Sequence, residues 1–155
     1  AKGERPPHLL VMTATPIPRT LTLTQYGEMD VSRIDEMPPG RTPVETRVIS
    51  DERLGDIIEG LGRHVAAGGQ AYWVCPLVEE SENSDAAAAE GRAAVLRQRF
   101  PGKVGLVHGR MKGSDKDAVM ASFAAGELAV LVATTVIEVG VDVPNSTLMI
   151  IEGAE

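Results

Sequence analysis

The chain has 155 residues, 43% of them hydrophobic, enough to bury a core in one domain or in parts of two. Its net charge of -7 and aromatic share of 3% exclude a broad basic face or a row of base-stacking platforms, so any nucleic-acid contact has to be local. Cys75 stands alone, which excludes an intrachain disulfide, and His8, His64 and His108 are too scattered to make a zinc cluster with it.

Along the chain, short β-rich runs alternate with helical stretches. Strands are predicted at 8–13, 44–49, 71–75, 104–108, 129–134 and 147–151. A helix is expected near 17–26. In the next one, Leu54, Ile57, Ile58, Leu61 and Val65 recur on one face, and Gly68-Gly69 can end it. The Ala-rich stretch 85–100 favours helix by intrinsic preference. Ser114 is the expected N-cap of a helix running to about Ala125, with Val119 and Phe123 facing inward. This alternation predicts an α/β fold, a mostly parallel sheet with helices on both faces, whose ligands sit at the carboxyl ends of the strands.

The stretch Asp35-Glu-Met-Pro-Pro-Gly-Arg-Thr-Pro43 cannot be helix or central strand. Residues 1–36 are therefore expected to be the tail of one lobe, 37–43 a linker, and 44–155 a second lobe, with both ends reading as incomplete. No run approaches the roughly 18 apolar residues of a membrane span, and the first residues lack a signal-peptide core, so the expectation is a cytoplasmic protein with no membrane partner.

Three segments that follow strands can carry chemistry. After 129–134, Thr134 and Thr135 offer hydroxyls, Gly140 lets backbone approach a ligand closely, and Asp142 can accept hydrogen bonds from a ribose; a buried strand followed by a plain turn is the competing reading. After 8–13, Thr13 and Thr15 lie beside Pro16 and Pro18, and can bind phosphate or simply cap the next helix. In His108-Gly-Arg-Met-Lys112, a basic loop precedes a helix N-terminus, so Arg110 or Lys112 can hold a phosphate; an ordinary surface loop is the alternative. Tyr72-Trp73 is better read as core than as a base platform, because neighbouring strand residues face opposite covered faces. The sequence contains neither a Gly-x-x-x-x-Gly-Lys-Ser/Thr loop nor an Asp-Glu-x-His cluster, so the chain by itself is not expected to hydrolyse a nucleotide.

Together these segments resemble the superfamily 2 helicases, and within them the RecG type. Met12-Thr-Ala-Thr-Pro-Ile-Pro-Arg-Thr20 is similar to the third helicase motif, Ala71-Tyr-Trp-Val-Cys-Pro-Leu-Val-Glu-Glu-Ser81 to the fourth, and Thr134 to Pro144 to the fifth. The resemblance implies RecA-like lobes of the P-loop NTPase kind and an ATP-dependent DNA helicase acting on branched DNA, with ATP and Mg²⁺ bound between lobes. It implies that Thr13 and Thr15 couple nucleotide state to DNA, and that Gly140 and Asp142 face the nucleotide with Glu138 nearby. Thr134 and Thr135, with His108, Gly109 and Arg110, would line the DNA side. A monomer, with single-stranded DNA-binding protein as a candidate partner, is the implied assembly. Two alternatives stay open: a transcription-repair coupling translocase, whose third and fifth motifs are alike, and a non-catalytic binding lobe.

Overall fold

The computed structural model describes residues 10–13, 30–37, 40, 42–75, 82–134 and 143–153. Its contacts divide the chain into two units, Ala1–Thr46 and Arg47–Glu155. In the first unit the described residues form no helix or strand. The strand expected at 8–13 is absent at its described positions 10–13, and the helix expected at 17–26 lies outside the described residues.

The second unit holds a four-stranded sheet made of β1 (Gln70–Cys75), β2 (Val104–Val107), β3 (Val130–Thr134) and β4 (Ser146–Ile151). The strand order is β2-β3-β1-β4 and every pairing is parallel. Parallel pairing demands crossovers, supplied by α2 (Glu82–Arg99) between β1 and β2 and by α3 (Gly113–Ala124) between β2 and β3. The first crossover runs one way across the sheet and the second runs back. Right-handed connections therefore put α2 and α3 on opposite faces.

The sheet faces confirm this. On one, α1 (Leu54–Ala66) and α2 cover Trp73, Val104, Val130 and Val132, with Leu61, Ala89, Ala93 and Leu96 as the helical contribution. On the other, Phe123 of α3 packs with Val107, Leu131 and Val143, and Tyr72 meets Phe123 edge-on at 5.0 Å between ring centroids. Trp73 is fully buried, so the core reading of Tyr72-Trp73 holds. Each fully buried aliphatic or aromatic side chain contributes about 1.5–3 kcal/mol, and the largest are shared between β1 and β3 (Trp73, Leu131, Val130, Val132) and the helices (Leu61, Leu96, Phe123).

Local signals place the helices. Ser50 accepts a hydrogen bond from the Glu52 amide at the start of the short 3-10 turn Asp51–Arg53 that leads into α1. At the other end Gly69 N–H donates to the His64 carbonyl and Gly68 N–H to that of Val65, the two bonds of a Schellman motif, with Gly68 at φ +89 as that motif requires. The expected Ser114 cap is not used. Lys112 takes the extended cap conformation and its carbonyl accepts from the amides of Asp115 and Lys116, so Ser114 falls inside the first turn.

The strand expected at 44–49 does not form among the described residues. Its Val-rich composition suits extended backbone, yet a strand exists only through a neighbour's ladder, and Val44 and Val48 are 81% and 97% exposed.

At the amino edge of the sheet, the buried Gln70 amide donates to the carbonyls of Phe123 and Leu128, both at 2.7 Å. Gln70→Leu removes both donations, and the chain is expected to lose about 1–3 kcal/mol in urea unfolding. On β2, a Cβ at Gly105 would lie 2.8 Å from Leu128 Cδ1 and 2.9 Å from Val119 Cγ1. Gly105→Ala should lower the urea midpoint by the equivalent of about 1–3 kcal/mol through overpacking; an unchanged midpoint would contradict this packing.

Candidate functional site

Because all four strands are parallel, their carboxyl ends share one edge. β1 sends its connection to the α2 face. The connection from β3 to β4 returns at Val143, which is buried on the α3 face. Adjacent strands whose connections leave to opposite faces create a crevice at their carboxyl ends, the usual ligand position in such sheets. By strand order that position falls at the carboxyl ends of β1 and β3, where Cys75 pairs with Thr134.

Two of the three segments singled out in the sequence start at this edge. Thr134 is the last residue of β3 and is 3% exposed, so its hydroxyl is held within the fold. Val107 pairs with Ala133, so His108 leaves the sheet beside Thr134. The His108 ring is mostly buried. Its Nδ1 has no hydrogen-bond partner, and its Nε2 lies 3.7 Å from the Glu90 carboxylate, beyond hydrogen-bonding distance. Gly109 is open, with nothing within 4 Å of a Cβ, and its carbonyl accepts from Lys116 Nζ at 3.3 Å. Arg110 and Lys112 are exposed just before α3. The result is a small basic loop beside a helix N-terminus on an acidic chain, a local arrangement suited to one or two phosphates. Thr13 is exposed in the first unit; Thr15, Thr135, Glu138, Gly140 and Asp142 lie outside the described residues. Among the described residues, no three histidine, cysteine or acidic side chains come together to hold a metal ion.

One cluster at the same edge was missed by sequence reasoning. Glu152, just past β4, accepts hydrogen bonds from Trp73 Nε1 at 2.9 Å, Cys75 Sγ at 3.5 Å and Arg92 Nε at 3.1 Å, while its second oxygen accepts from Arg92 Nη2. The Arg92 guanidinium also sits over the Trp73 ring, 5.4 Å from its centroid. The available signal was Arg92 itself, a cation set among the buried Ala89, Ala93 and Leu96 of α2. Beside the cluster opens a pocket of about 240 Å³ lined by Ile49, Leu54, Ile57 and Ile150 as well as Arg92 and Glu152.

The electrostatics follow from burial and charge. Burial pushes the Cys75 thiol up to about 12, aided by the neighbouring Glu152 carboxylate, so Cys75 is a neutral donor and not a nucleophile. Burial alone would raise Glu152, yet the hydrogen bonds from Arg92, Trp73 and Cys75 and the Arg92 charge hold it below the usual carboxylate range. A depressed folded-state pKa means that this stabilisation is complete above the unfolded value and lost as pH falls through the folded one. The difference in thermal midpoint between the wild-type chain and Glu152→Gln should thus be largest at neutral pH and shrink as pH falls below the ordinary carboxylate range; a constant difference would contradict the charged pair.

No helix among the described residues is long and apolar enough to cross a membrane. Residues 51–155 match the family of the helicase conserved C-terminal domain. The chain is 62% identical to the ATP-dependent DNA helicase RecG of Escherichia coli O157:H7 over 96% of its length, and 58% identical to that of Acidithiobacillus ferridurans over 96%. It is 56% identical to the Pasteurella multocida RecG over 99%. In each case it spans only 22% of the relative. Among solved structures, RecG bound to a three-way DNA junction superposes with a TM-score of 0.69 at 43% identity, over 88% of this chain and 17% of that one. These relatives favour the RecG reading over the transcription-repair coupling translocase, and the all-parallel sheet with helices on both faces is the RecA-like lobe that the motifs implied. The chain belongs to the helicase conserved C-terminal domain family, as a segment of the RecG type.

Proposed function

We propose that this chain is part of the motor of an ATP-dependent DNA helicase that remodels branched DNA such as stalled forks and four-way junctions. The observation that carries the reading is the convergence of His108, Thr134 and the exposed Arg110 at one carboxyl edge of the sheet, next to the ends of β1 and β3. That edge is where a RecA-like lobe meets its ligands. The similarity to RecG along nearly the whole chain supports it further.

In this reading residues 1–36 end a first lobe, 37–43 link it, and 44–155 belong to the second. Arg110 and Lys112, helped by the N-terminus of α3, grip DNA backbone phosphates, with Thr134 and Thr135 on the same side. Gly140 and Asp142 form part of the nucleotide site, with Glu138 near them, and Thr13 and Thr15 couple that site to DNA. ATP, accompanied by Mg²⁺, supplies the free energy of movement. The chain contributes positioning and not the full hydrolytic set, because its sequence has no phosphate loop or Asp-Glu-x-His cluster.

Asp142→Ala in the full-length parent is expected to reduce DNA-stimulated ATP hydrolysis by about tenfold or more. Undiminished hydrolysis would refute its role. Arg110→Ala should weaken binding to a three-way junction uniformly across sequences and lower the salt slope by about 1, as loss of one phosphate contact predicts.

A further inference from the structure

We propose that Arg92 and Glu152 are positioning residues of the motor, holding the end of β4 in place at the carboxyl edge relative to the ends of β1 and β3. The inference rests on the helicase reading above and adds two residues that lie outside all three recognised motifs.

The Glu152 carboxylate collects donors from two other elements. Trp73 and Cys75 come from β1, and Arg92 reaches across from α2. Three donors converge on Oε2, and Arg92 also engages Oε1. The carboxylate therefore cannot rotate without breaking several bonds together, and Arg92 is oriented by the same carboxylate and by the Trp73 ring. Backbone adds to this, since Glu152 N–H donates to the Val74 carbonyl at 3.0 Å, carrying the β1–β4 ladder past the last residue of β4. The point at which the chain leaves β4 is thus fixed in direction as well as in depth.

Stability alone does not call for such a device. Apolar side chains of similar volume commonly replace a buried ion pair at no cost, and apolar neighbours are already present in Trp73, Leu54 and Ile150. What an ion pair with several directional bonds adds is orientation. Its place matters too, because Cys75, one of the donors, pairs in register with Thr134 at the carboxyl edge. Gln70 performs a comparable tie at the opposite edge, joining β1 to the end of α3. It supplies the control for a purely structural effect.

The test uses the full-length parent, with Glu152→Gln, Arg92→Lys and Gln70→Leu compared in thermal midpoint, DNA-stimulated ATPase and affinity for a three-way junction. Glu152→Gln keeps the shape and loses the charge, and Arg92→Lys keeps the charge and loses the fork, so at least one folded variant is available. Both are expected to lower kcat about tenfold with KM for ATP and junction Kd changed by no more than about twofold, as misplacement without loss of binding predicts. Gln70→Leu, at a comparable loss of thermal midpoint, should keep kcat within about twofold. An active parent in which the Arg92 and Glu152 variants keep kcat, or in which all three variants lose it in proportion to midpoint, overturns the positioning role alone. A parent with no DNA-stimulated ATPase overturns the helicase reading and this proposal together.

Discussion

Parallel pairing along β1 is the constraint on which everything else in the folded unit depends. β1 lies between β3 and β4, and its residues alternate between two covered faces, with Trp73 against α1 and α2 and Tyr72 against α3. A parallel ladder cannot be closed by a tight turn, so each connection must recross the sheet, and the handedness of those crossings assigns α2 and α3 to opposite faces. The same geometry sends every strand's carboxyl end to one side. A ligand edge is thus a consequence of strand direction before any side chain is considered.

The two edges of the sheet use polar groups differently. At the amino edge, Gln70 is buried and satisfied by two carbonyls, and the His64 ring reaches the Gln70 carbonyl at 3.1 Å. These contacts close the fold. At the carboxyl edge, polar groups are left partly open or incompletely paired. His108 keeps a buried nitrogen without a partner, Arg110 and Lys112 reach solvent, and Glu152 gathers a charge network at the mouth of a pocket. By contrast the exposed Arg53–Asp56 pair, 65% and 66% accessible, is screened by water and contributes little. Ser146 Oγ at the amino edge is also buried without a partner, so what sets the carboxyl edge apart is the partly buried Arg92–Glu152 charge pair, a costly group that marks where the structure is organised for something other than its own stability.

In the proposed reading, an acidic chain serves a DNA motor because the cations needed for phosphate contact are few and local. With a net charge of -7, broad electrostatic attraction is absent, and the loop at His108–Lys112 stands out as a confined basic feature next to a helix N-terminus. Such a loop suits a grip that is made and released, since a small number of phosphate contacts binds weakly enough to let go.

Much of this was legible in the chain because it rests on short-range physics. The apolar spacing of Leu54 to Val65 specified a helix face, Gly68 and Gly69 specified its end, and the apolar runs at 71–75, 104–108, 129–134 and 147–151 each became a strand within a residue or two. The motif words identified the family. Other features depended on partners distant in sequence. Residues 44–49 have strand composition and no ladder among the described residues, because pairing is decided by neighbours and not by propensity. Ser114 lost the cap to Lys112 because the helix starts where the backbone from β2 allows it. The pairing of the Glu152 network could not be read, although Arg92 stood out among small apolar residues: its donors lie 60 to 79 positions away, and only the fold brings them within hydrogen-bonding distance. Local patterning therefore determined the elements and the family, and tertiary packing alone decided which charges meet, because electrostatic and hydrogen-bonding energies depend on separation in space and not along the chain.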